Sequence, residues 1–88
     1  MSLHSDSLKD VIQSRLSTQE VYVSDQSGGC GQAFSVLIIS KEFEGLNKLK
    51  RSRLINSLLK EEIAAIHAFT QKNFTPQEWE TQKANYNV

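Results

Sequence analysis

Two side chains able to bind a soft metal stand far apart in this sequence. Cys30 lies within Ser27-Gly28-Gly29-Cys30-Gly31, and His67 closes a long run of helically spaced apolar residues. A thiolate and an imidazole together suit zinc, copper or an iron–sulfur cluster. Three glycines in four positions free the backbone around Cys30 and leave its sulfur little side-chain cover. Each residue alone also has a plain structural explanation. A single cysteine is commonly incidental, and a histidine at a helix end suits the negative C-terminal dipole. Two ligands do not close a metal site, so the remaining ligands would come from another chain. A Cys–His pair is also the pairing of nucleophile and base. Against that, the chain shows no oxyanion device and no third orienting residue, and it is short for a deep pocket, so an enzyme is not expected. His4 is assigned no role.

A second group with chemical potential is the basic cluster Lys48, Lys50, Arg51 and Arg53. It opens the central helical run, where the macrodipole is already positive and further cations are mildly unfavourable. One reading is a solvated helix face. The functional readings are an acidic partner, a phosphate backbone or a nuclear-import signal. No aromatic residues interleave with it, as single-stranded nucleic acid would favour. Phe69, Phe74 and Trp79 are read as core.

These groups must be held by a small body. The chain has 88 residues, 39% hydrophobic and 23% charged, the balance of one folded domain of modest stability. The formal net charge is zero, so the domain as a whole is not drawn to nucleic acid or anionic lipid. One cysteine excludes an internal disulfide, and no apolar run is long enough for a membrane span. The start carries neither a signal-peptide core nor an Arg-rich transit sequence, which points to the cytosol or the nucleus.

In order along the chain, Ser7-Leu8-Lys9-Asp10 has capping-box spacing, followed by Leu8, Val11, Ile12 and Leu16 on one face of a first helix of about 11 residues. Val21 and Val23 alternate with Tyr22 and Ser24 in a strand covered on one face. Residues 33–40 are apolar on both faces, Phe34, Val36 and Ile38 against Leu37 and Ile39, which marks a central strand. Residues 41–47, with Gly45, form a turn or short 3₁₀ segment.

The organising element is residues 48–69, a helix handing over to a strand at Ile66-His67-Ala68-Phe69. Leu54, Ile55, Leu58, Leu59, Ile63 and Ile66 form its buried stripe, while Arg51, Arg53, Lys60, Glu61 and Glu62 belong in water. No Gly or Pro interrupts it. Residues 67–73 make a third, partly exposed strand. Thr75-Pro76-Gln77-Glu78 is a full capping box opening a short helix anchored by Trp79. Residues 1–5 and 85–88 are expected to be flexible, flanking a single domain over 1–88.

The order α-β-β-α-β-α describes an α+β domain with helices on a three-stranded mixed sheet. The long helix returns the chain from the end of the second strand to the start of the third, so those strands should run parallel with a right-handed crossover. Parallel strands begin at the same edge. Cys30, just before the second strand, and His67, at the start of the third, are therefore expected on the same side of the molecule.

Phe43-Glu44-Gly45, Arg51-Ser52-Arg53-Leu54-Ile55-Asn56, Leu59-Lys60-Glu61-Glu62 and Ile66-His67-Ala68-Phe69, in that order, resemble the BolA-like proteins. The likeness spans roughly Ser7 to Trp79. Gly29-Cys30-Gly31 and Thr75-Pro76-Gln77-Glu78-Trp79 look most like the eukaryotic cytosolic and nuclear branch, which acts in iron homeostasis. The resemblance implies a fold similar to a class II KH domain. It also implies a non-enzymatic heterodimer with a monothiol glutaredoxin around a bridging [2Fe-2S] cluster, one side of which is held by the glutaredoxin thiol and a glutathione thiol. By the same resemblance His67 matches the C-terminal histidine ligand and Cys30 the loop ligand. Replacing a thiolate by an imidazole makes such a cluster less negative, raises its potential and ties its binding to histidine protonation. Many relatives read Arg-His-Arg where this chain has Arg51-Ser52-Arg53, so no role for that extra histidine carries over. The alternative is a KH-like nucleic-acid-binding transcriptional regulator. A KH domain needs a Gly-X-X-Gly clamp between helices, and the only glycine-rich loop here lies between strands.

Overall fold

The computed structural model describes residues 4–27 and 32–86. The elements run α1 (Ser5–Arg15), β1 (Glu20–Asp25), β2 (Ala33–Ile39), a 3₁₀ turn (Lys41–Phe43), α2 (Lys48–Leu58), α3 (Lys60–Ala64), β3 (Ala68–Phe74), α4 (Pro76–Gln82) and a closing 3₁₀ turn (Lys83–Asn85). The sheet order is β1-β2-β3. β2 pairs antiparallel with β1, Val23 opposite Val36, and parallel with β3, Ala33 opposite Ala68 and Ile39 opposite Phe74. The expected α+β domain with a central second strand is what the chain forms.

Because β2 is central, side-chain alternation divides the apolar residues between two faces. Phe34, Val36 and Ile38 join Leu8, Ile12, Leu16, Val21, Phe43, Ile55 and Leu59 in the main core under α1 and α2. Leu37 and Ile39 point the other way and meet Trp79 of α4. The first strand is covered on both faces, not one. Tyr22 reaches over this smaller cluster, its ring centroid 6.3 Å from that of Trp79. Tyr86, read as part of a loose end, packs at 5.6 Å from Trp79 and 6.0 Å from Phe74.

Three local features depart from the sequence reading. α1 begins at Ser5, with His4 as its uncapped N-cap, so Ser7 lies inside the helix. Leu8 N–H bonds to His4 O at 2.9 Å, which adds the extra turn while Leu8 and Ile12 are buried. The long helix is broken at Leu59, whose φ and ψ are −112° and 23°. At that break the Leu58 carbonyl accepts a hydrogen bond from Arg15 Nη1 at 2.7 Å. A side chain inserted at the helical ladder is a recognised cause of such a break. Finally, Ser40 is fully buried. Its hydroxyl donates to Ser17 O at 2.5 Å and accepts from Glu42 N at 3.0 Å, which satisfies the burial and ties α1's exit to the first 3₁₀ turn. Gly45, with φ +79°, makes the left-handed step between that turn and α2.

Candidate functional site

β3 carries a group of interest at each end. At its start, His67 follows the single turn of α3. Its backbone N–H bonds to Gln32 O at 2.7 Å, and Ala68 N–H reaches the same carbonyl at 3.2 Å. Gln32 comes two positions after Cys30 in the sequence. Cys30 itself, with Gly28, Gly29 and Gly31, lies outside the described residues. The residues flanking that segment are firmly held. Gln26 N bonds to Ala33 O at 2.7 Å, Ala33 N to Ser27 Oγ at 3.1 Å, and Ser27 N to Asp25 Oδ1 at 2.9 Å. Hydrogen bonding from Ser27, hydroxyl first and then backbone, holds the Asp25 carboxyl below its ordinary pKa. The parallel pairing therefore fixes the second root of the glycine loop against the backbone of His67.

The His67 side chain is exposed and has no hydrogen-bond or ion-pair partner among the described residues. An open imidazole can accept a metal through either ring nitrogen. Among the described residues no three His, Cys, Asp or Glu side chains are grouped so as to hold a metal ion.

At the other end of β3, Arg51 is 8% exposed. It thus leaves the water-facing set to which its charge seemed to assign it. Its guanidinium makes a bidentate pair with Glu78, at 2.5 and 3.1 Å, and donates to Leu46 O at 2.8 Å and Asn73 O at 3.2 Å. It also lies 5.9 Å from the centroid of Phe43. Glu78 completes the α4 capping box as well, accepting from Thr75 N at 3.0 Å while Thr75 Oγ1 accepts from Glu78 N at 3.1 Å. The Arg51 hydrogen bonds, and after them that of the Thr75 backbone, hold the Glu78 carboxyl below its ordinary pKa. Arg51 is thereby a clasp joining α2, the end of β3 and α4. Lys48, Lys50 and Arg53 are exposed.

Asn73, whose carbonyl Arg51 reaches, is six residues beyond His67, or about 20 Å of strand. The Arg51 end of α2 and the imidazole thus do not form one site, and Arg51 does not sit beside a ligand held at His67. The sequence reading did not single out Arg15. Besides reaching the Leu58 carbonyl, it pairs with Glu62 of α3 at 2.8 and 3.2 Å. That contact braces the turn leading to His67, and no local motif announces it.

A three-stranded mixed sheet with this helix order and an open histidine at the start of its parallel edge strand define a small α+β domain. The family model described as BolA-like protein matches residues 11–78. BolA-like protein 2 of Mus musculus is 40% identical over 84 residues, covering 94% of this chain and 98% of the mouse protein. The crystal structure of a bol-like protein from Babesia bovis superposes with a TM-score of 0.86 at 43% identity, covering 94% of this chain and 96% of that one. The solution structure of yeast Fra2 gives 0.76 at 35% identity, covering 100% and 98%. This chain belongs to the BolA-like family.

Proposed function

We propose that this protein is a non-enzymatic partner of a monothiol glutaredoxin in the cytosol or nucleus. It would complete a [2Fe-2S] cluster shared with glutaredoxin and glutathione, in iron sensing or cluster delivery. His67 is its imidazole ligand and Cys30 its second candidate ligand. The observation that carries this reading is the hydrogen bond from His67 N–H to Gln32 O, which holds Gln32, two positions after Cys30 in the sequence, against the backbone of a residue with an open imidazole. Family membership supports it. When bound, the cluster supplies reversible electron uptake and transferable iron and sulfide, and histidine ligation raises its potential relative to all-thiolate ligation. The chain's own part is to hold one ligand on a stiff strand start and to present the loop beside it.

Co-expression with a monothiol glutaredoxin tests this, followed by visible absorption and circular dichroism of the purified complex. A coloured one-to-one complex is expected, with a spectrum that changes in His67→Ala. Cys30→Ala then decides whether the thiol is a ligand. A colourless mixture, or a spectrum indifferent to both substitutions, overturns the reading.

A further inference from the structure

We propose that the free edge of β3 accepts an additional extended strand, supplied by an acidic segment of a partner protein. β3 is the last strand of the sheet. Phe74 O accepts from Ser40 N at 3.0 Å on the β2 side, whereas Asn73 O is reached from the opposite side by Arg51 at 3.2 Å. Backbone groups alternate along a strand. The N–H and C=O of Phe69 and Gln71, and the N–H of Asn73, therefore point away from the sheet and have no partner among the described residues. Such an edge is a template for strand addition.

The edge is not a bare flank. An open groove of about 690 Å³ lies along its C-terminal half, lined by Gln71, Lys72 and Asn73 of the strand, Lys48 and Ser52 of α2, and Tyr86. The Arg51–Glu78 clasp stiffens its wall. Asn73, one of the lining residues, has its own Oδ1 buried away from the groove and without a hydrogen-bond partner among the described residues. The Asn73 amide is already oriented, donating to Gln71 Oε1 at 2.8 Å, and Gln71 donates to Asn56 Oδ1 at 2.9 Å.

Charge and hydrogen-bond polarity select the occupant. Lys48 and Lys72 line the groove without an ion-pair partner among the described residues, while the lining carboxylate, Glu78, is taken by Arg51. The groove is therefore cationic in a chain of zero net charge, and acidic side chains suit it. A peptide backbone offers alternating donors and acceptors that match the free groups of the strand edge. A phosphate backbone offers acceptors only. The ring faces near the groove are also spent, since Phe74 and Tyr86 pack on each other and on Trp79, which leaves no platform for bases.

The test uses the free ¹⁵N-labelled chain, so its result is independent of whether a cluster binds. Three probes are titrated: a capped hexapeptide alternating Glu and Val, its Lys–Val counterpart, and a single-stranded oligonucleotide. The acidic peptide is expected to shift the amides of Phe69, Gln71 and Asn73 and to slow their hydrogen exchange. Lys48→Glu with Lys72→Glu should weaken it by about tenfold. Three results overturn the proposal: no change along β3 at millimolar acidic peptide, equal binding of the Lys–Val peptide, or stronger perturbation of the same amides by the oligonucleotide.

Discussion

Arg51 shows how a charged residue in a basic cluster can be structural. Its side chain is 10% exposed whereas that of Glu78 is 44% exposed, so the two partners respond differently to removal. Arg51→Met deletes the bidentate pair and both bonds to backbone carbonyls, and leaves Asn73 O and Leu46 O short of a donor. A loss of about 2 kcal/mol in urea unfolding is expected. Glu78→Gln keeps the carbonyl contacts and should lose less, about 1 kcal/mol. The pH dependence follows from the lowered carboxyl pKa of Glu78. A carboxylate favoured by the fold contributes stability above its ordinary pKa of 4.5 and loses that contribution as pH falls through the lower folded value. Urea midpoints measured from pH 6 downward should therefore show a shallower acid decline in Glu78→Gln than in wild type. The inward placement of Arg51 was missed, since the sequence reading assigned it to water, although its spacing carried a signal. It lies four residues before Ile55 and eight before Leu59, both buried, on the same helical stripe, and only its charge argued for water. Its partner was less legible, because the Glu78 capping box gives no hint of the second bond that the carboxylate makes across the fold.

Periodicity and capping located the elements well where the signal was local. Thr75-Pro76-Gln77-Glu78 forms the full box it spells, and Thr75→Ala should cost about 1 kcal/mol, read as a lower Tm with α4 amides exchanging faster. The Leu59 break was not legible, because its partner, Arg15, is on another element and no Gly or Pro marks the site. α3 is five residues long and buries none of them fully, so its order depends on outside contacts. Arg15→Met removes both the Leu58 carbonyl bond and the Glu62 pair. Amide exchange over residues 60–66 should then quicken about fivefold, equivalent to about 1 kcal/mol of local opening, while α1 and α2 stay protected. Uniform acceleration across the chain would instead make Arg15 a global stabiliser. A second misreading has the same origin. Ser7 has the right spacing for a cap, but burial of Leu8 and Ile12 extends the helix beyond it.

At the scale of the whole molecule, the parallel β2–β3 pair was deduced from the helix between them, and it alone brings His67 to Gln32. The two ends of β3 then divide the labour. The Arg51 guanidinium is fully engaged in hydrogen bonds, and the His67 imidazole has no partner among the described residues. This asymmetry separates a ligand from a structural residue by experiment. An exposed side chain with no partner among the described residues contributes little to folding, so His67→Ala should unfold within about 0.5 kcal/mol of wild type. The same substitution should alter the visible circular dichroism of the complex with a monothiol glutaredoxin. Arg51→Met should do the reverse, lowering stability while leaving that spectrum unchanged in whatever fraction remains folded. If both substitutions destabilise the free chain equally, His67 is part of the fold's own fabric and the ligand role fails. If only His67→Ala changes the spectrum, and does so at undiminished stability, the imidazole acts on the shared cluster and not through the sheet that carries it.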